Sequence, residues 1–174
     1  MMRGAMAAVI EFDELLRYER DELQRWEAYF ARTPAAFRVL FAPDTDGGGR
    51  MATVGQVIHH IVGVAWRYAD RLEAVTVTAF ETIPSEPAST LFDAAHVVNA
   101  RLAEWVARAS ELDLAREIEF ETISAGSFRA SARKILAHTL LHSVRTWAQV
   151  ATVLRANGMA TEGRHDLIFS EVFH

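Results

Sequence analysis

Apolar side chains recur at helical spacing along four long stretches of the chain. In the first stretch charged residues lie off an apolar stripe, and the stripe consists of Phe12, Leu15, Leu16, Leu23, Trp26 and Phe30. The second stretch begins at Thr53 and has Gln56 three residues later, which is the pattern of a capping box. Both stretches therefore predict amphipathic α-helices that bury one face in a common core.

The other two stretches complete the set. The third begins near Thr90 and keeps its apolar stripe as far as Leu112. The fourth begins near Ser131 and ends at Asn157-Gly158, because glycine readily adopts the backbone conformation that closes a helix. We expect both stretches to be helical over most of their length.

The connecting segments carry little strand signal. Residues 33–41 predict a short helical piece that opens on a proline, and residues 44–49, DTDGGG, predict a loop. Residues 75–80 are β-branched but precede two prolines, which favours an extended linker. Residues 117–131 alternate in part and predict a small hairpin or an extended crossover. The tail at 165–174 has four large apolar residues, and we expect it to dock on the helices.

Four amphipathic helices without a sheet to cover predict an all-α protein. The expected fold is a four-helix bundle with a short extra helix and an extended or hairpin crossover before the last long helix. A chain of 174 residues is long enough for one well-buried core, so we expect a single domain over residues 1–174. The long linkers mean that the up-down order of the helices need not be simple.

Composition narrows the possible partners. The net charge of −5 argues against nucleic-acid binding, which needs a basic face. No stretch of apolar residues is long enough for a membrane span, and the start of the chain does not resemble a signal peptide, so a cytoplasmic protein is expected. The chain has no cysteine, so a metal would be held by His, Asp or Glu, and a reactive thiol would arrive as a small molecule.

The fourth helix carries one polar stripe. At 100° per residue His138, His142, Thr146 and Gln149 share that stripe, with Arg145 close by. Such a stripe commonly faces water, but this one is largely uncharged, and uncharged polar groups also suit a partly buried cleft.

In the second helix His60 lies along the apolar stripe. A single histidine among core residues is more often a hydrogen-bonded core residue than a ligand. Two facing helices that each place an imidazole inward, however, are how helix bundles build metal sites.

The same stretch resembles a motif of the DinB-like superfamily, the DNA-damage-inducible and thiol-transferase-type four-helix proteins. Members read His-x-x-Asn-His-x-x-x-His-Arg-Gly-Gln and continue to Leu-Arg-x-x-Gly. The residues that fall in register are His138, His142, Gln149, Leu154, Arg155 and Gly158. Upstream, His60 in IHHIVGVAWRYADRL matches the family's helix-two histidine.

The resemblance implies a metal site that this sequence completes only in part. The family's ligands map to His60, His142 and position 146, and position 146 is Thr. His138 could replace the third ligand only if the metal moved about one turn along the helix, roughly 6 Å. A carboxylate such as Asp70 or Glu73 is the other way to complete the set.

Three functions are compatible with the sequence. The first is a divalent-metal-dependent enzyme of thiol-transferase or hydrolase type, which would hold Zn²⁺ or Ni²⁺ at His60, His142 and His138 and use a small-molecule thiol. His138 or Gln149 would alternatively orient a ligating imidazole, and Arg145 would hold an anionic ligand or face water. The second is a metal-free protein of the same fold that binds a small ligand or serves a stress response, with the third ligand lost at Thr146.

The third is an interaction role as a homodimer. Its candidate contacts are Trp66, Trp105 and Trp147, which core packing explains equally well.

Overall fold

The computed structural model describes residues 10–41, 51–122, 126–159, 161 and 165–172. The helices are α1 (Phe12–Arg32), α2 (Val54–Leu72), α3 (Ala88–Arg108), the short α4 (Glu111–Ala115) and α5 (Ala132–Ala156). The strands are β1 (Glu117–Thr122) and β2 (Gly126–Ser131), and 3₁₀ turns cover Pro34–Arg38, Phe80–Thr82 and Leu167–Phe169. The all-α prediction is confirmed. The loop predicted at 44–49 lies outside the described residues.

Two helix ends form as the sequence predicts. At the start of α2 the Thr53 hydroxyl accepts the Gln56 N–H at 3.3 Å, and the Gln56 side chain accepts the Thr53 N–H at 3.1 Å. At the end of α5 Gly158 has φ +70°, and the Met159 N–H donates to the Leu154 carbonyl at 2.9 Å, as in a Schellman motif. Both predictions rest on interactions between residues close in sequence.

The third helix begins at Ala88, directly after Pro87 and close to the predicted start near Thr90, but its predicted end is wrong. Before the predicted end, a second capping box forms: the Ser110 hydroxyl accepts the Asp113 N–H at 3.2 Å, and the Asp113 carboxylate accepts the Ser110 N–H at 2.8 Å. This box opens α4 in a new direction and leaves Leu112 84% exposed instead of in the core.

The crossover before α5 is a hairpin. β1 and β2 pair antiparallel, with Phe120 opposite Phe128 and Ile118 opposite Ala130. Ile118 and Ala130 are both buried, so the alternating pattern turns this pair of side chains toward the bundle. The hairpin therefore anchors the start of α5 to the core.

The four long helices pack in an order that differs from their order in sequence. α1 packs mainly on α3, α2 packs on both α3 and α5, and α1 meets α5 over a shorter contact. The core consequently falls into two clusters of buried side chains, one around Trp26, Phe30 and Ile58 and the other around Leu72, Leu102 and Leu136. No helix within the described ranges is long and apolar enough to cross a bilayer.

The segment after α5 contacts the bundle through polar groups. The Tyr29 hydroxyl donates to the Met159 carbonyl at 2.7 Å, and the Tyr18 hydroxyl donates to the His165 carbonyl at 2.5 Å. Leu167, Ile168 and Phe169 are exposed, so the apolar docking predicted for these three tail residues is wrong. The tail is fixed by hydrogen bonds to α1.

Two of the three tryptophans considered for a homodimer are core residues. Trp105 is 5% exposed and donates its indole N–H to the Leu72 carbonyl at 2.9 Å, and Trp147 is 7% exposed. Neither indole can form a subunit contact without leaving the core. Trp66 is partly exposed, and a homodimer stays a prediction.

Candidate functional site

Three histidines on two facing helices form what we call the imidazole group: His60 on α2, and His138 and His142 on α5. The ring centroids of His60 and His142 are 5.1 Å apart, and those of His138 and His142 are 5.8 Å apart. His60 and His142 are partly buried, whereas His138 is exposed. The predicted convergence of imidazoles from separate helices is therefore present in the structure.

The surroundings of His142 keep its ring neutral. Burial, followed by the neighbouring His60, His138 and Arg145, lowers the pKa of His142 to about 4. The unfolded chain therefore binds more protons than the folded one between the ordinary histidine pKa of 6.5 and about 4. Protonation of His142 thus destabilises the fold as the pH falls through that range, and at neutral pH the ring offers an uncharged nitrogen lone pair.

Aromatic side chains lie beside the imidazole group. The His138 ring meets the Tyr68 ring edge to face, with centroids 5.6 Å apart, and the Phe80 ring lies 6.3 Å from that of His60. Phe80 approaches the backbone of Gly63 so closely that a Cβ there would lie 2.3 Å from the ring. Glycine at position 63 therefore lets Phe80 lie against α2 beside the imidazoles.

The third ligand position does not supply a metal donor. Thr146 is 4% exposed, and its hydroxyl donates to the His142 carbonyl at 2.7 Å, which fixes the hydroxyl along the helix. Within the described ranges no group of three His, Cys, Asp or Glu side chains is placed to hold a metal ion. The donor set therefore does not fit a site with three protein ligands, the usual number in catalytic zinc centres.

The two carboxylates considered as replacement ligands are engaged elsewhere. Asp70 is 2% exposed, accepts the Thr78 N–H at 2.8 Å and pairs with Arg101 at 2.7 Å. Glu73 pairs with the same guanidinium at 2.7 Å. These carboxylates tie α2 to α3, so the expectation that either one completes a metal shell has no support in the geometry.

The chain resembles one family of known proteins. The family model described as DinB family matches residues 6–171, which is nearly the whole chain. The chain belongs to the DinB family. Searches of the curated proteins and of the solved structures found no match.

The metal-ligand positions that the sequence motif implies stay a prediction for this DinB protein. Of these positions, His60 and His142 have rings that lie together, and position 146 is a buried threonine. Gln149, predicted to orient an imidazole, and Arg145, predicted to hold an anionic ligand or face water, are both exposed. Their role stays a prediction, as does that of His138.

A second constellation in this DinB protein was missed by the sequence reasoning. A cavity of about 740 Å³ lies between α1, α5 and the segment that follows α5, and Glu19 and Ser143 line it. The sequence did contain a signal for it. Glu19 interrupts the apolar stripe of α1, three residues after Leu16 and four before Leu23, and a carboxylate at such a position must lie against the core or a cavity.

Proposed function

We propose that this protein is a DinB-family member that binds a small organic molecule at the imidazole group without a metal ion. The observation that carries the proposal is the state of Thr146, a buried residue whose hydroxyl is already bonded to the helix backbone. Two imidazoles without a third strong donor form a weak site for a divalent ion.

The remaining groups suit an uncharged ligand. A neutral His142 can accept a hydrogen bond from a thiol or hydroxyl. Phe80 and Tyr68 provide apolar surface beside the imidazoles. We therefore expect a ligand that combines a small apolar body with one S–H or O–H donor.

A thermal-shift screen in the presence of a chelator tests this proposal. At a hundred times its Kd, a bound thiol or apolar compound should raise the Tm by about 5 °C or more. The shift should disappear in His142→Ala, because that variant removes the acceptor. His96→Ala is the matched control, since His96 pairs with Glu27 away from the imidazole group, and it should keep the shift. If no compound in the screen raises the Tm of the wild-type protein, the proposal is contradicted.

A metal-dependent transferase or hydrolase is the second candidate, and one distance favours it. Two imidazoles that share a tetrahedral Zn²⁺ have ring centroids about 5 Å apart, and the His60 and His142 centroids are 5.1 Å apart. A bound divalent ion would lower the pKa of a thiol or water that it binds. His60 and His142 would hold such an ion, and its remaining coordination positions would be left to water or substrate.

Restoring the third imidazole separates the two candidates. Untagged wild-type protein should retain no stoichiometric Zn²⁺ or Ni²⁺ after dialysis, as measured by plasma mass spectrometry and calorimetric titration. Thr146→His should bind the ion stoichiometrically, because it adds an imidazole one turn beyond His142.

Thr146→Val is the control, since it loses the hydroxyl without adding a ligand, and it should bind no more metal than the wild type. Stoichiometric, tight uptake by the wild-type protein would overturn the metal-free proposal and support the second candidate.

A further inference from the structure

The cavity between α1 and α5 lies on a different face of α5 from the imidazole group. At 100° per residue Ala148 and Ala151, which line the cavity, are turned by roughly 120–180° from His142. The wall contains Leu15, Trp26 and Trp147, and the volume of about 740 Å³ is that of a small-molecule site. Leu141 and Val144 at its mouth are 70% and 50% exposed, so the bundle leaves part of the apolar face of α5 uncovered.

One polar side chain in this apolar wall lacks a well-formed hydrogen bond. Ser143 is 2% exposed, and its hydroxyl lies near Glu19 but forms no hydrogen bond of ordinary geometry to any described residue. A buried hydroxyl is normally hydrogen-bonded, so Ser143 indicates a place where a further partner fits.

Glu19 and Glu22, two of the three carboxylates that line the cavity, differ in their partners. Glu22 pairs with Arg25 at 2.7 Å and with His165 at 2.6 Å. Glu19 forms no ion pair with a Lys, Arg or His in the part of the chain that the structure describes. Burial raises the pKa of Glu19 to about 7, although the nearby Ser143 and Asn99 side chains favour its charged form. Glu19 is thus a partly desolvated acid without a cation.

We propose that this cavity is a binding site for an organic ammonium compound with an apolar body. The ammonium group pairs with the Glu19 carboxylate and donates to the Ser143 hydroxyl, while the body packs against Trp26 and Trp147. An ammonium supplies the counter-charge that the fold does not provide, and the aromatic walls favour a cation further. This inference stands independently of what the imidazole group binds.

The charge of the cavity disfavours the other ligand classes. An anion would be repelled by Glu19, Glu22 and Asp166. Of the described residues that line the cavity, Arg155 alone is a Lys or Arg, and its side chain is exposed. A neutral alcohol would fill the apolar space but would leave Glu19 without a counter-ion. Charge complementarity therefore selects the cation.

Three probes of equal length test the site: hexylammonium, hexanol and hexanoate. At pH 8, calorimetric titration and thermal shift should detect binding of hexylammonium only. Glu19→Gln should weaken that binding at least tenfold, because the amide cannot form the ion pair. Asp21→Asn, which removes one carboxylate from the surface of α1, is the matched control and should bind as the wild type does.

The pH dependence gives a second readout. Binding needs ionised Glu19, so affinity should fall about tenfold between pH 8 and pH 6, since each pH unit below the pKa reduces the ionised fraction tenfold. The other titratable groups of the cavity are Tyr18, Glu22, Arg155, His165 and Asp166. Glu19→Gln keeps all of them, so whatever binding it retains should lose that pH dependence.

Two further variants make the result decisive. Ala148→Trp fills the exposed mouth of the cavity and should abolish binding without touching the core. His60→Ala should bind hexylammonium as the wild type does, which separates this site from the imidazole group. Equal binding of hexanol, preferred binding of hexanoate, or full binding by Glu19→Gln would each overturn the proposal.

Discussion

Arg101→Met is expected to lower the free energy of unfolding by about 3 kcal/mol, because it leaves the buried Asp70 carboxylate without its cation. Arg101 bonds Asp70 and Glu73, both at 2.7 Å, and its guanidinium lies 5.3 Å from the Trp66 ring. Methionine retains much of the packing of the aliphatic part of the Arg101 side chain. The loss of stability therefore comes mainly from the missing charge. The measurement is urea unfolding at pH 7 followed by circular dichroism.

The same variant predicts a pH signature. Burial would raise the pKa of Asp70, but the Thr78 N–H and Arg101 together outweigh it and hold that pKa below its ordinary value of 3.8. The stability that ionised Asp70 contributes is therefore present above pH 3.8 and is lost as the pH falls through the lower folded pKa. The difference between Arg101→Met and the wild type should consequently shrink in acid.

A surface ion pair provides the control for this prediction. Arg133 bonds Glu111 at 2.9 Å, but the Glu111 side chain is 87% exposed. Arg133→Met should change the free energy of unfolding by less than about 1 kcal/mol. If both methionine variants lose equally little stability, Asp70 is not a buried charge that depends on Arg101.

Trp26→Ala is expected to have the largest effect on stability, about 4 kcal/mol, because it removes a large, fully buried ring that contacts several other rings of the core. Trp26 is 1% exposed and stacks on Trp147 with ring centroids 4.7 Å apart. The ring centroid of Trp26 also lies 6.0 Å from that of Phe30 and 4.7 Å from that of His165. The substitution therefore loosens contacts between α1, α5 and the segment after α5.

Urea unfolding measures this loss, and Leu112→Ala is the reference. Leu112 is 84% exposed on α4, so its truncation should be nearly neutral, although the helical pattern of the sequence predicts a core residue. Unfolding of the wild type should also be a single transition by both circular dichroism and tryptophan fluorescence, because one core is expected for residues 1–174. A neutral Trp26→Ala would contradict the packing described for the core.

The candidate site was predictable from the sequence as far as spacing could determine it. Helical periodicity placed His138 and His142 on one stripe and His60 along the inner stripe of α2, and the rings of His60 and His142 do converge. The family resemblance implies a third ligand at position 146, where this chain has Thr146, and that role stays a prediction. What spacing could not supply was the hydrogen bond from the Thr146 hydroxyl to the His142 carbonyl, which shows how that position is used.

By contrast, the cavity could not be predicted, because it depends on how far apart two helices lie. The sequence shows that Glu19 interrupts an apolar stripe and that Ser143 lies near the apolar side of α5. Only the packing arrangement, in which α1 meets α5 over a short contact, leaves space between them. His165, which no sequence pattern singles out, lines that space and pairs with Glu22.

The sequence by itself determined those features that neighbouring residues control: the helical stripes, the capping box at Thr53 and the glycine end at Gly158. These depend on backbone hydrogen bonds and side-chain periods within a few residues, which a linear pattern records. Tertiary structure decided which helices are neighbours, which of the two predicted crossovers forms before α5, and which polar groups share a cavity. Those outcomes depend on the summed packing of side chains far apart in sequence, and no local pattern specifies that sum.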